Sequence, residues 1–312
     1  MGNSITKIRL GTRSSRLALS QVAEVHLLLA DLYPNIAVEI VPITTSGDKI
    51  KDKCLAEFGG KGLFVKELEE ALLSDKIDIA VHSAKDVPPL LDKNTVIGAY
   101  TKRIDARDCF VSNQYSSFKK LPKNAVIGTS SSRRKAYILK ARPDLKVINF
   151  RGNIDTRLAK IDENGADAII LAVSGLLRLG KENRITEAFA IEEILPAGGQ
   201  GSLVLQIRKK DLKIAKLLES INDQESHICI ETERAFLQNL QASCVTPVAV
   251  YAFIEKDKLM LKTAIIDFDG SEICETSHHS KVNLAKGLEM ALKAASETKR
   301  KSPQLWQRII QN

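Results

Sequence analysis

The chain has 312 residues, a net charge of +8 and a pI near 9.1. Hydrophobic residues make up 44% and charged residues 27%, which excludes a disordered or fibrous chain and allows two or three hydrophobic cores. Aromatics reach only 5%, too few for the stacking platforms of a single-strand nucleic-acid binder, so the basic excess points to another kind of anion.

Short apolar runs alternate with amphipathic stretches. Lys7–Leu10 reads as a strand, followed by a loop, a helix over about Leu17–Leu32 and a strand at Val38–Pro42. Leu63–Ser74 has near-helical apolar spacing, with Glu67, Glu69 and Glu70 outward. Strands follow at Ile77–His82, Val96–Tyr100, Cys109–Ser112 and Val126–Thr129, the last running into a helix from a Ser-rich turn. Lys146–Phe150 is a strand, Asp155–Ile161 a helix, and Ala168–Ala172 and Leu203–Ile207 are apolar strands. This alternation predicts α/β architecture with mostly parallel, helix-covered sheets. From about residue 222 the style changes to α+β. Glu231–Leu240 is a helix, Val248–Ile254 and Lys258–Ile266 are antiparallel strands around Glu255-Lys-Asp, and Leu284–Ala295 is a late helix. No internal repeat is visible, and the charged stretch Glu297–Lys301 reads as a solvated helix end.

The five cysteines, Cys54, Cys109, Cys229, Cys244 and Cys274, form no CxxC pair, and no His stands at ligand spacing to them. Neither a disulfide framework nor a metal site is expected. The first ten residues lack the apolar core of a leader, and no apolar run approaches 18 residues. A cytoplasmic protein without membrane association is therefore expected.

In open α/β sheets, ligands sit beyond the carboxyl ends of strands. Five such loops carry basic or small polar residues. They hold Arg13 and Ser15; Ser83, Lys85 and Asp86; Arg133 and Arg134; Arg151 and Arg157; and Arg178. Guanidinium forks bind carboxylates or phosphates bidentately, and Ser/Gly turns offer backbone N–H groups at helix starts, so the set describes a multivalent anion site. Asp86 beside Lys85 is a candidate general acid/base; an ordinary ion pair or a helix cap is the alternative. Gly59-Gly-Lys-Gly62 lacks a phosphate-loop frame and reads as a flexible loop, with Lys61 near an anion or acting as part of a lid. Pro196-Ala-Gly-Gly-Gln-Gly201 reads as a hinge between units, with Gln200 facing the cleft, and His278-His279 as an exposed pair near a turn.

These segments together resemble the porphobilinogen deaminase (hydroxymethylbilane synthase) family. The resemblance runs from about Ile8 to Ala252. It rests on Gly11-Thr-Arg-Ser-Ser-Arg-Leu-Ala-Leu-Ser-Gln21, Gly59-Gly-Lys-Gly-Leu-Phe-Val-Lys-Glu-Leu-Glu69 and Asp78-Ile-Ala-Val-His-Ser-Ala-Lys-Asp-Val-Pro88. It continues through Gly128-Thr-Ser-Ser-Ser-Arg-Arg134, Phe150-Arg-Gly-Asn-Ile-Asp-Thr-Arg157, Leu195-Pro-Ala-Gly-Gly-Gln-Gly201 and Glu233-Arg-Ala-Phe-Leu237. The resemblance implies a transferase that joins four porphobilinogen molecules head to tail onto a dipyrromethane cofactor, releases ammonia at each step and then frees hydroxymethylbilane.

It further implies that Cys244 anchors the cofactor as a thioether. Asp86 is implied as the catalytic carboxylate near the pyrrole N–H groups. Lys85, Ser131, Arg133, Arg134, Asp48 and Ser83 are implied as cofactor contacts. Arg13, Ser15, Arg151, Arg157, Arg178, Gln200 and Lys61 are implied as substrate contacts. Two departures stand out. Ala242-Ser243 replaces the family's usual Gly-Gly before the cysteine, which should alter the local turn because Ala and Ser tolerate positive φ poorly. Glu57 stands where many relatives have Lys. The implied fold is two periplasmic-binding-protein-like α/β domains (1–101 with 202–219, and 102–201) plus a small α+β domain over 222–312. A monomer without nucleic-acid partners is implied as well.

Overall fold

The computed structural model describes residues 5–46, 65–243 and 245–311. Two five-stranded sheets and one three-stranded sheet organise the chain. The first sheet is built from β1 (Lys7–Arg13), β2 (Ala37–Ile43), β3 (Ile79–Ser83), β4 (Thr95–Tyr100) and a late strand, β10 (Leu203–Arg208). Their spatial order is β2-β1-β3-β10-β4. The second contains β5 (Asp108–Val111), β6 (Val126–Gly128), β7 (Lys146–Ile148), β8 (Ala168–Ala172) and β9 (Glu187–Ala188), in the order β7-β6-β8-β5-β9.

The two orders are the same topology. In each sheet the fourth position is filled by the strand the chain forms on crossing from the other unit, β10 or β5. That strand runs antiparallel to both neighbours, while the first three positions are parallel. The α/β class is as expected, and in each sheet four of the five described strands share one direction; only the crossing strand, which arrives from the far side without a helical return, opposes them. The repeat that the sequence conceals is a repeat of path: packing fixes strand order, and many residue sets satisfy it.

Helices cover the sheets where their apolar stripes require. In α1 (Arg16–Leu32), Val22, Val25 and Leu29 lie against Ile8, Leu10 and Ile79. In α3 (Ser132–Ala141), Ala136 and Ile138 pack on Ile127 and Ile170. Each fully buried Leu or Ile contributes about 1.5–3 kcal/mol. The remaining helices of these units are α2 (Lys66–Leu73), α4 (Ile154–Asp162), α5 (Val173–Arg178) and α6 (Leu212–Leu218).

The C-terminal unit places α7 (Gln224–Leu240), α8 (Leu284–Lys301) and α9 (Pro303–Gln311) on the antiparallel meander β11 (Val248–Glu255), β12 (Lys258–Ile266) and β13 (Ile273–Lys281). Its sheet also joins the core of the second unit, where Ala249, Ala264 and Ile266 meet Ile127 and Ile170.

Several elements differ from the sequence expectation. β1 continues to Arg13 because its ladder with β2 runs that far, so Arg13 ends a strand and does not lie in a loop. α7 begins at Gln224, capped by the Asp223 side chain, well before Glu231. His278 and His279 lie on β13, not at a turn. The Glu297–Lys301 stretch, by contrast, is the charged, largely solvated end of α8 as expected, with only Thr298 buried.

Candidate active site

Loops and helix starts after β1, β3, β6, β7 and β8 meet where the two α/β units touch. Local sequence explains the geometry. The Ser15 hydroxyl caps α1 by accepting from the Ala18 amide at 3.3 Å, and Ser131 caps α3 by accepting from Arg134 N at 3.4 Å. Asn153 caps α4 by accepting from Thr156 N at 2.8 Å. Each cap turns a strand end directly into a helix N-terminus, where the backbone dipole favours an anion.

Arg13, Ser15, Ser83 and Asp86 line one small pocket of about 40 Å³, together with Gln21 and His82. Gln21 Nε2 donates to Ser83 Oγ at 2.7 Å. Asp86 closes the 3₁₀ turn Ala84–Asp86 after β3 and is exposed. Its neighbour His82 is buried. Gln206 Nε2 donates to Glu69 and Thr95, so Gln206 Oε1 turns toward His82 Nε2, 3.1 Å away. The imidazole therefore donates there. Burial and the nearby Arg13 charge push His82 down to about 4, the Gln206 hydrogen bond offsetting part of this.

The centre of the site is a carboxylate that sequence reading overlooked. Asp108, the first residue of β5, is fully buried. Its two oxygens each stand 2.7 Å from a guanidinium, Arg133 on one side and Arg134 on the other. Both arginines are buried as well, at 4% and 7% exposure. Arg133 also donates to the Leu195 carbonyl and Arg134 to the Ile170 carbonyl.

Burial alone would raise the Asp108 carboxyl. The two guanidinium groups, with hydrogen bonds from Arg134 and Gln200, more than offset it and hold the group well below the usual carboxylate range. Gln200 does not face an open cleft: at 1% exposure it bridges, its Nε2 donating to Asp108 at 2.9 Å and its Oε1 accepting from Lys85 Nζ at 3.1 Å. Burial, then the Arg134 charge, pulls Lys85 down to about 8.

Two buried cations, Arg133 and Arg134, thus share one buried carboxylate, and the half-buried Lys85 is joined to it through Gln200. Arg157 adds to the imbalance. Its Nε donates to the Gly152 carbonyl, and no described carboxylate pairs with it. Burial and the neighbouring Arg134 and Arg151 push it down to about 10. A set of this kind fits a ligand with several carboxylates. Arg178 is engaged across the junction: its Nε donates to Glu24 on α1 at 2.8 Å, and Ser20 Oγ bonds its carbonyl. A second strap joins Arg16 to Asp155 at 3.4 Å, with Lys181 on the same carboxylate oxygen.

The C-terminal unit braces this assembly through two α7 residues. Glu233 is fully buried and accepts from both terminal nitrogens of Arg103 at 2.7 and 2.8 Å. It also accepts from the amides of Gly199 and Ala252. Arg103 lies on one crossing segment and Gly199 on the other, so this one carboxylate ties both crossings to the third unit. Arg234 donates to the carbonyls of Val87, Pro88 and Pro89, just past Asp86. The sequence clue to Asp108 was an acid opening a wholly apolar strand. Pairs as remote as Arg103 and Glu233 leave no periodic trace.

Asp48, Lys61 and Cys244 lie outside the described residues, as do Glu57 and the Gly59–Gly62 loop. The approach to Cys244 is described. The left-handed residue after α7 is Gln241, at φ 63°, while Ala242 and Ser243 keep negative φ. The replaced glycines therefore carry no strain. The Ser243 hydroxyl lies 3.0 Å from Thr246 Oγ1, and Ser243 N donates to that same oxygen.

Residues 8–216 match the family model described as porphobilinogen deaminase, dipyrromethane cofactor binding domain, and residues 227–300 match the porphobilinogen deaminase C-terminal domain. The chain is 42% identical over 266 residues to the porphobilinogen deaminase of Alkaliphilus metalliredigens, covering 85% of this chain and 84% of that one. It is 43% identical over 270 residues to that of Syntrophobacter fumaroxidans (86% and 87% covered), and 44% over 270 residues to that of Syntrophotalea carbinolica (86% and 86%). Among solved structures, the methionine-binding protein MetQ overlaps 72% of this chain and 91% of its own at TM-score 0.44 and 14% identity, a likeness too slight to bear on fold or function. By two domain matches and by identity across most of its length, the chain belongs to the porphobilinogen deaminase family.

Proposed function

We propose that the chain is a transferase of tetrapyrrole biosynthesis that condenses four porphobilinogen molecules onto a dipyrromethane held by Cys244, and that Asp86 is its catalytic carboxylate. The observation that carries the site assignment is the buried excess of cations over carboxylates, placed beside a pocket whose exposed acid is Asp86. Each pyrrole ring of the substrate bears two carboxylates, so a growing chain is a polyanion of the kind such a set recognises. When bound, the dipyrromethane supplies a nucleophilic pyrrole carbon to which the first substrate is joined.

The chain's own residues do the rest. Arg133, Arg134, Lys85, Ser131 and Ser83 hold the cofactor carboxylates, and Asp48 is a further cofactor contact, to an N–H and not to a carboxylate. Arg13, Ser15, Arg151, Arg157, Arg178 and Lys61 hold the substrate carboxylates, while Gln200, buried between Lys85 and Asp108, supports the set from behind. Asp86 accepts hydrogen bonds from pyrrole N–H groups, stabilises the positive charge left on the ring as the protonated aminomethyl group departs as ammonia, and takes up the proton released from the attacking pyrrole carbon once the new C–C bond has formed. The pocket is narrow and largely apolar around Val65, Val81 and Leu17, which strengthens these interactions by limiting water.

We assign the three working units to 1–101 with 202–219, 102–201 and 222–312. We propose a cytoplasmic monomer without nucleic-acid or membrane partners. No described helix is long and apolar enough to cross a membrane.

Intact-protein mass tests the assignment directly. Wild-type protein is expected to exceed its sequence mass by one dipyrromethane, and Cys244→Ser to lose the excess. Asp86→Asn is expected to keep the excess, fold normally and turn over extremely slowly. An active wild-type protein at plain sequence mass, or near-normal turnover by Asp86→Asn, overturns the reading.

A further inference from the structure

The Asp86 carboxylate makes no hydrogen bond to the described residues, so the backbone of its turn must set its position. The entrance to that turn is fixed by the first unit and the return crossing: Ala84 N donates to the Ser202 carbonyl at 3.0 Å, and Gly199 lies against Ala84 and Lys85. The exit is different. Pro88 and Pro89 have no N–H, and their fixed φ keeps the chain extended, so this stretch cannot secure itself in a ladder. Its carbonyls need outside donors.

One side chain supplies them. Arg234, half-way along α7, donates from Nη1 to the Val87 carbonyl at 3.2 Å and from Nη2 to the carbonyls of Pro88 at 3.1 Å and Pro89 at 3.2 Å. The guanidinium is buried, and its Nε lies 3.7 Å from Glu231, which in turn accepts from the Tyr100 hydroxyl at the end of β4. A planar fork gripping three successive carbonyls leaves the exit backbone little freedom.

We propose that Arg234 is a positioning residue for Asp86: α7 of the C-terminal unit sets the catalytic turn through the Arg234 fork. The proposal rests on the reading of Asp86 given above. It gives the C-terminal unit a part in the chemistry separate from carrying Cys244. Five residues separate Arg234 from the end of α7 at Leu240, a rise of about 9 Å along the helix. One rigid element therefore holds the carboxylate's turn and leads into the cysteine's segment.

The test is a double-mutant cycle on the cofactor-loaded enzyme, with loading checked by mass. Arg234→Lys can reach only one carbonyl. A displacement of the order of 1 Å at Asp86 is expected to lower kcat about 10- to 100-fold with little change in KM. Combined with Asp86→Asn it should lower the residual rate hardly at all, since the residue acts through a carboxylate no longer there. Amide exchange in the segment 84–92 should quicken in Arg234→Lys whether or not substrate is present.

An equal loss from Arg234→Lys in both backgrounds, or unchanged kcat, overturns the proposal and leaves the Asp86 reading standing. Wild-type turnover by Asp86→Asn alone overturns both. Should Arg234→Lys fold poorly, Glu231→Gln retains the fork but loosens its anchor. A smaller kcat loss, again confined to the Asp86 background, supports the proposal, and no loss overturns it.

Discussion

Gly199 carries the most direct prediction, because the return crossing presses on the catalytic turn at that point. Its φ is +78°, and a Cβ built there would lie 2.8 Å from the Ala84 carbonyl carbon and 2.9 Å from both Ala84 Cβ and Lys85 N. Carbon contacts relax to about 3.5 Å, so Gly199→Ala must drive the Ala84–Lys85 backbone away by about 0.7 Å. The left-handed conformation adds roughly 1 kcal/mol for alanine. Asp86 follows in the same turn, and a shift of this size is expected to cut turnover roughly 10- to 100-fold with a modest loss of Tm. The control is Gly180→Ala. Gly180 has φ +62° but nothing within 4 Å of its added Cβ, so it incurs the backbone cost without moving the turn. Initial rates of product formation, Tm and intact mass should be measured for both. Turnover by Gly199→Ala within about two-fold of Gly180→Ala would refute the reasoning.

Two further predictions concern the buried charges. Asp108→Asn leaves Arg133 and Arg134 enclosed with no carboxylate and should destabilise by about 3–5 kcal/mol. At roughly 2–4 °C per kcal/mol the Tm should fall about 6–20 °C, and added polycarboxylate should recover part of it; a fall under about 2 °C contradicts the ion-pair account. Lys85 titrates near 8 in the folded protein, against about 10.4 unfolded. Between those values the unfolded chain holds the extra proton, so stability gains from this group as pH rises from about 8 to about 10. Lys85→Met should lack that gain in thermal melts of the cofactor-free protein, and identical pH slopes would rule the assignment out.

Much of the site was legible because its residues sit next to strand ends. Arg13, Ser83, Asp86 and Arg133 each end or closely follow an apolar run, and the chain's α/β alternation places such positions on one side. What was hidden is how the protein holds them. Asp108 reads as an ordinary acid until the fold brings Arg133, Arg134 and Gln200 to it across 25, 26 and 92 residues. Gln200 reads as a hinge residue, yet its amide is the link between Lys85 and Asp108. Arg178 reads as a free cation until Glu24 meets it 154 residues away. Such pairs obey no local period, so composition and spacing cannot foretell them. His278 and His279 were misplaced for a related reason: their strand is polar, and it becomes a strand by pairing with β12.

The crossing strand has a consequence for how the chain is made. β10 lies inside the first sheet, between β3 and β4, with Leu203 opposite Ser83. At 5–20 residues per second, a ribosome needs about 6–24 s to synthesise the 120 residues between those partners. During that time β3 and β4 have open inner edges, the kind of surface that recruits foreign strands. The second sheet has no such wait, since β5 to β9 are consecutive. The nascent chain therefore completes its middle before its beginning. Any truncation or stall short of residue 203 releases a protein with one finished sheet and one gaping one.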